Sequence, residues 1–198
     1  MRKTLLTVLA AAALAGGWAT PARAQTSAIL IFVQGARWWP VSDLSEAGDQ
    51  FAASWSYGAG FGWQFHDKAS LRLSASTVST RWVGDRLFEV FPEVTDRNFR
   101  RNYFMADIQL GWPTASGMVP YLYAGAGVVA TQPQDEALES FTDFTARFGA
   151  GLNLLTRFGV WFIESDMAAW RLNSINVEFY GLKLEVSLRL GWALVIPY

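Results

Sequence analysis

Strict alternation of aromatic and small residues is the strongest pattern in the chain. From Phe51 to Phe65 the odd positions are aromatic or alanine, and the even positions are alanine, serine, glycine or glutamine. Successive side chains of a β-strand point to opposite faces, so this segment predicts a strand with one aromatic and one small, polar face. The period of two excludes a helix.

The same alternation recurs along the rest of the chain and predicts eight strands in total. The other seven segments lie near 28–39, 69–83, 99–112, 119–130, 143–155, 159–171 and 182–198. Runs of about 12–15 residues are long for strands of soluble proteins, but they suit tilted strands that cross a bilayer and project slightly beyond it.

The connecting segments alternate between short and long. Residues 66–68, 113–117 and 156–158 are short, residues 40–50, 84–98 and 131–142 are long, and residues 172–176 are intermediate. Short turns at one end and longer loops at the other are typical of outer-membrane barrels. The pattern predicts an all-β fold, an eight-stranded antiparallel up-and-down transmembrane β-barrel. The even strand number places both termini at one end, in the periplasm.

The first 24 residues have the composition of a cleaved secretory signal peptide. Arg2 and Lys3 precede an apolar run from Leu5 to Gly16, and Ala22-Arg23-Ala24 is a small-x-small cleavage site. Cleavage would leave residues 25–198 as the outer-membrane barrel. Of 16 basic residues it removes three, and no acidic residue, which leaves 13 against 17 and a formal charge of −4.

Charge and cysteine content exclude several functions. A mildly acidic domain has no electrostatic reason to bind nucleic acid. The chain contains no cysteine, so disulfides, thiolate chemistry and a lipidated cysteine at the cleavage site are ruled out.

Alternation alone does not separate a membrane barrel from a soluble, lipocalin-like barrel, whose apolar face points inward. The polar faces here are mostly glycine and serine, which suits the crowded interior of a narrow barrel. Their charges balance, as expected of a closed network of buried pairs, because unpaired charges in a dry lumen are costly. The predicted structural lumen network consists of four basic and four acidic residues: Arg72, Arg147, Lys183, Arg189, Asp107, Glu164, Asp166 and Glu185.

Tryptophans near strand ends favour the membrane barrel. Trp55 and Trp63 share a face and would lie on the order of 20 Å apart along the membrane normal, close to the roughly 25 Å height of the apolar band between two aromatic girdles. The predicted interfacial aromatics are Trp55, Trp63, Trp82, Trp112, Trp161, Trp170 and Trp192.

Two glycine-rich strand segments carry a family resemblance. Residues 120–127, PYLYAGAG, and 148–153, FGAGLN, resemble the outer-membrane β-barrel superfamily that includes the OmpA transmembrane domain and OmpX. The resemblance implies contact with outer-membrane lipid and lipopolysaccharide. The C-terminal segment resembles the signal read by the barrel-assembly machinery, but Pro197-Tyr198 replaces a final Phe, and strand pairing is expected to end before the proline.

No catalytic, metal or cofactor site is predicted. Some small barrels act on lipid A, but serine chemistry requires a base such as histidine, and the single histidine, His66, falls in a predicted periplasmic turn. The pair Glu164 and Asp166 could suggest acid–base work or a Ca²⁺ site, although salt bridges to neighbouring strands explain it better.

The long loops are the remaining candidates for activity. The amphiphilic loop 84–98 either contacts a partner, lipid or surface ligand, or folds over the barrel mouth. Two loops are acidic and could share divalent cations with lipopolysaccharide phosphates, although solvated loops explain them better. Their acidic residues are Asp43, Glu46, Asp49, Asp135, Glu136 and Glu139.

The favoured function is therefore a structural, envelope-stabilising or surface-interaction role without enzymatic activity. The alternatives are a narrow channel or small hydrophobic-ligand transporter in the manner of OmpW-like barrels, and a lipid A-modifying enzyme.

Overall fold

The computed structural model describes residues 27–44, 48–172 and 181–198. The predicted signal peptide, Glu46 and most of the intermediate connector 172–176 lie outside these ranges. The described residues form one short helix, α1 (Arg86–Val90), and nine strands: β1 (Ala28–Pro40), β2 (Gln50–Phe51), β3 (Ser54–His66), β4 (Ala69–Val83), β5 (Asn98–Gly111), β6 (Met118–Pro133), β7 (Phe141–Thr156), β8 (Gly159–Leu172) and β9 (Gly181–Pro197).

Eight of the strands close into a ring in which each pairs antiparallel with its neighbours. The order is β1, β3, β4, β5, β6, β7, β8, β9 and back to β1, while β2 adds two residues beside the end of β4. The predicted eight-stranded up-and-down barrel is confirmed. Closure leaves no edge in the ring, so the backbone polar groups of its strands pair internally, as a bilayer requires.

Both chain ends of the barrel lie at the end with the short turns. Ala28 is paired with Gln64 on one side and with Pro197 on the other. The expectation that pairing ends before Pro197 was wrong, because proline lacks only the N–H donor and keeps a carbonyl that a ladder can use. The last residue, Tyr198, accepts a hydrogen bond from Trp63 Nε1 at 2.5 Å.

Two of the three tight turns at this end depend on a glycine with positive φ. Gly117 precedes β6 with φ of 76°, and Gly159 begins β8 with φ of 129°. L-residues with side chains rarely adopt this region, so glycine is the residue that lets the chain reverse here.

One segment departs from the predicted alternation. Phe51 was expected on the outward aromatic face of a strand 51–65, but it is buried inside the barrel. The pattern is interrupted at Ala52-Ala53, which separate β2 from β3. Phe51 packs edge-to-face against Trp82 and Phe99, with ring centroids 5.6 Å and 5.4 Å away. Odd and even positions therefore keep their inward or outward direction only within one continuous strand.

The apolar core lies in the half of the lumen nearest the long loops. Trp38, Phe51, Trp82, Phe99 and Trp170 fill it, and Leu44, Leu87 and Val94 pack onto them from the loops. Loop 84–98 thus folds over the barrel mouth, the second of its two predicted arrangements. Among the described residues, no helix is long and apolar enough to span a membrane.

Candidate functional site

All eight predicted network residues have buried side chains inside the barrel, each no more than 8% exposed. Alternation places them there because they occupy the inward parity of β4, β5, β7, β8 and β9. The structure divides them into a central group near the middle of the lumen and an upper group nearer the long loops.

The central group is built around two carboxylates on β8. Glu164 forms ion pairs with Arg72, which reaches across the barrel from β4, and with Arg189 of the adjacent β9 at 3.2 Å. Arg189 also pairs with Asp166. Tyr121 donates a hydrogen bond to Glu164 at 2.6 Å, and Ser187 donates one to Asp166 at 2.6 Å. The carboxylates are therefore saturated by fixed donors, which favours a structural over an acid–base role.

A second ion pair of the central group links β5 and β7. Arg147 donates to Asp107 through Nε at 2.7 Å and through Nη2 at 2.5 Å, a two-point contact. The same Nη2 donates to Ser74 Oγ at 3.1 Å. Together with Tyr123 of β6, which donates to Asp166 of β8 at 2.8 Å, these bonds connect strands two or three positions apart in the ring.

Glycines on β7 make room for the tyrosines of β6. A Cβ at position 151 would lie 2.5 Å from both Cζ and Oη of Tyr121, and one at 149 would lie 2.7 Å from Cζ of Tyr123. The glycine-rich segment 148–153 is thus a packing surface that lets two tyrosines lie flat across the strand and reach the β8 carboxylates.

The upper group centres on Arg101, which the sequence analysis missed. Arg101 forms an ion pair with Glu185, and neither residue is more than 3% exposed. Glu185 also accepts hydrogen bonds from Tyr103 Oη at 2.8 Å and Trp38 Nε1 at 2.9 Å. The sequence did contain a signal for an inward Arg101, because Arg101 and Asp107 both occupy odd positions on β5.

Aromatic rings surround the Arg101 guanidinium. Its central carbon lies 4.3 Å from the ring centroid of Trp170, 4.9 Å from Phe51 and 5.3 Å from Trp38 and Tyr103. Cation–π contacts of this kind are strongest when the cation is desolvated. The guanidinium and the aromatic core together close the lumen below the long loops.

Lys183 does not pair with a carboxylate among the described residues, contrary to its predicted place in the network. Its Nζ donates to the backbone carbonyls of Asp43 and Leu44 at 2.7 Å and 3.0 Å. The reason is its position near the start of β9, at the long-loop end, where the nearest acceptors belong to the loop that follows β1.

The predicted aromatic girdles divide into two groups. Trp55, Trp63, Trp112 and Trp161 are exposed on the outer surface, and Trp192 is partly exposed there. Trp82 and Trp170 were assigned wrongly, because both are buried inside the barrel. Their even parity on β4 and β8 matches that of Arg72 and Glu164, and they fill the loop-covered end of the lumen.

A cavity of about 630 Å³ occupies the half of the lumen nearest the short turns. It opens at the mouth formed by these turns, and its inner end is bounded by Phe32, Phe162 and Arg72. The lumen is therefore a blind pocket from one side and a packed core from the other.

His66 is exposed in the turn between β3 and β4, where Nδ1 accepts a hydrogen bond from the backbone N–H of Lys68 at 3.2 Å. No carboxylate among the described residues orients it. Within those residues there is also no group of three or more His, Asp or Glu side chains placed to hold a metal ion.

Asp135 joins two of the long loops. Its Oδ2 accepts hydrogen bonds from the backbone N–H groups of Thr95 and Asp96 at 2.6 Å and 2.8 Å, and Oδ1 accepts one from Ala137 at 2.9 Å. These backbone donors lower the pKa of Asp135 to about 2. This acidic residue therefore acts as a loop clamp.

Comparison with known proteins supports the fold. No family model matches the chain. A search of curated proteins also finds no match. Among solved structures, Neisserial surface protein A is 13% identical, with 86% of this chain and 99% of that chain covered and a TM-score of 0.58. The outer membrane protein AlkL, determined in lipid bilayers, is 14% identical, with coverages of 91% and 95% and a TM-score of 0.53.

The N-terminal β-barrel domain of Pseudomonas aeruginosa OprF is also similar, with 17% identity, coverages of 87% and 100% and a TM-score of 0.49. At these identities the likeness concerns fold alone. The resemblance to eight-stranded outer-membrane barrels, read from residues 120–127 and 148–153, is confirmed at that level.

Proposed function

We propose that the chain is an integral outer-membrane protein with a closed lumen and a structural, envelope-stabilising or surface-interaction role rather than an enzymatic one. The observation that carries this proposal is the double closure of the barrel. The Arg101–Glu185 pair with its aromatic core blocks the upper half, and the Arg72–Glu164–Arg189 group blocks the centre. Such a lumen ties opposite strands together and leaves no continuous path.

The outer surface supports insertion into a bilayer. Large apolar side chains such as Phe61, Phe104, Phe148 and Leu190 are each more than 40% exposed on it. A soluble protein does not present a contiguous apolar band of this extent. Interfacial tryptophans at the strand ends, namely Trp55, Trp63, Trp112, Trp161 and Trp192, would lie at the headgroup level.

The distribution of outward charges supports an orientation. On the described strands, the outward-facing charged residues are Arg37, Arg81, Arg100 and Arg171, and all four lie toward the long-loop ends. Arginine is well suited to bind phosphate. We infer that this end faces the phosphates of lipopolysaccharide in the outer leaflet, that the long loops are at the cell surface and that both termini are periplasmic. The C-terminal strand would be read by the barrel-assembly machinery.

Planar-bilayer conductance tests the closed lumen. The full mature barrel is expected to give no steady open channels. Steady conductance that is lost or changes ion selectivity in Glu164→Gln, while Arg100→Met on the outer face has no effect, would replace this proposal with the narrow-channel alternative.

The lipid A-modifying alternative has a direct test. His66, the only histidine, lies at the short-turn end, opposite the proposed outer leaflet. We expect overexpression of the protein to leave the lipid A mass spectrum unchanged. A new lipid A species that depends on His66 would show enzymatic activity.

A further inference from the structure

The cavity at the short-turn end has two chemically different walls. One wall is apolar and is formed by inward residues of β1, β8 and β9, namely Leu30, Phe32, Val160, Phe162, Ala193 and Val195. The facing wall, on β4 and β5, is polar and includes Ser70, Arg72 and Gln109. A concave, mostly apolar site with a few convergent polar groups is the usual form of a small-molecule pocket, and 630 Å³ lies within the usual size range of about 300–1,000 Å³.

At the inner end of the cavity, the guanidinium of Arg72 has a donor atom that makes no hydrogen bond within the described residues. Its side chain is buried, and Nη1 donates to Glu164 and, at 3.3 Å, to Gln109. Nη2 has no hydrogen-bond partner among the described residues. Nη2 is itself buried, and buried donors are normally satisfied, so an unpaired Nη2 on a side chain that lines the cavity indicates a missing acceptor.

The surroundings of Arg72 favour an anionic acceptor attached to an apolar body. Its only carboxylate partner in the described part of the chain, Glu164, is shared with Arg189. The guanidinium carbon lies 4.8 Å and 5.4 Å from the ring centroids of Phe32 and Phe162, which are themselves packed edge-to-face. An anion at Nη2 would thus sit at the foot of the apolar wall, and a carboxylate would match the donor geometry of arginine.

We propose that this cavity binds a monocarboxylate with an apolar chain of medium length. The carboxylate lies against Arg72 Nη2 at the inner end, and the chain follows Phe162, Val160 and Leu30 toward the mouth. This site is independent of the orientation of the barrel in the membrane and adds a binding activity to a barrel whose lumen is closed to conduction.

Octanoate labelled with ¹³C at the carboxyl carbon is a suitable probe, titrated into the full mature barrel in uncharged detergent micelles with empty micelles as reference. We expect a saturable shift of the carboxyl resonance and nuclear Overhauser contacts from the chain to the ring of Phe162. Arg72→Met should weaken binding at least tenfold, and Asn153→Trp, which fills the cavity from β7, should abolish it. Arg100→Met on the outer surface is the matched control and should bind as the unaltered protein does.

Octanamide provides a second test that needs no variant, so the proposal stays testable even if Arg72→Met does not fold. The neutral amide should bind at least tenfold more weakly than octanoate. The proposal is overturned if no saturable binding occurs, if Asn153→Trp binds octanoate normally, or if octanamide binds equally well. It is also overturned if Lys68→Gln or Arg157→Gln at the mouth abolishes binding while Arg72→Met does not, because the carboxylate would then lie at the mouth.

Discussion

Arg101 and Glu185 meet across the lumen from strands on opposite sides of the eight-stranded ring. Arg101 is on β5 and Glu185 is on β9, four strands apart in either direction around the barrel. The pair spans the diameter at the level where the loop residues enter, and it organises Tyr103 and Trp38 as additional donors to the same carboxylate. It is thus a cross-brace for the long-loop end of the barrel.

Breaking this cross-brace should lower the free energy of unfolding far more than removing a neighbouring surface charge. Arg101→Met leaves Glu185 buried without its cation, and we expect a loss of about 3–5 kcal/mol in the free energy of unfolding. The double variant Arg101→Met with Glu185→Gln should lose less than Arg101→Met alone, because Glu185 then no longer remains as a buried charge without its cation. Denaturant unfolding of the folded barrel in lipid vesicles measures these differences.

Arg100→Met is the matched control, since Arg100 is adjacent in sequence but faces outward. Its effect should stay within about 0.5 kcal/mol. Equal losses for Arg100→Met and Arg101→Met would mean that the interior pair does not stabilise the barrel.

Glycine 151 should be intolerant of even a small side chain. Gly151→Ala places a Cβ against the ring and hydroxyl of Tyr121, which must then move away from Glu164. We expect a destabilisation of about 1–3 kcal/mol from overpacking, measured by the same unfolding assay. Gly35→Ala is the control, because the nearest atom to its new Cβ would be 3.9 Å away. A Gly151→Ala protein as stable as Gly35→Ala would contradict the packing role of Gly151.

The Asp135 clamp should survive mild acid. Its pKa in the folded protein is about 2, below the ordinary value of 3.8, so the clamp contributes fully above pH 3.8 and is lost as the pH falls through about 2. The amide resonances of Thr95 and Asp96 are expected to titrate with a midpoint near pH 2. They should shift at neutral pH in Asp135→Asn but not in Glu136→Gln. A midpoint near 3.8 would show that the clamp is not formed.

Single cysteines can determine which end of the barrel is at the cell surface, because the chain has no native cysteine. We expect a membrane-impermeant maleimide to label Glu139→Cys, in an exposed long-loop position, on intact cells. Ala115→Cys, in the short turn before β6, should be labelled only after the outer membrane is permeabilised. Labelling of Ala115→Cys alone on intact cells would reverse the proposed orientation.

Local periodicity was enough to predict the strands and most of the interior charges. Each network residue occupies an inward position of a continuous alternating run, and the parity of such a run is a local property of the extended backbone. Trp82 and Trp170 were assigned to an aromatic girdle because they lie near strand ends. Their even positions along β4 and β8 would have placed both tryptophans inside the barrel.

By itself the sequence determined the barrel, the separation of short and long connectors to opposite ends, and the identity of most of its buried charges, since these follow from alternation and connector length. Only the tertiary structure decided which charges meet. Arg101 with Glu185 and Arg72 with Glu164 are pairs between strands half a ring apart, and Lys183 turns to loop carbonyls instead of a carboxylate. Such partnerships depend on register, barrel closure and the return of the loops into the lumen. These are long-range relations that no local pattern encodes.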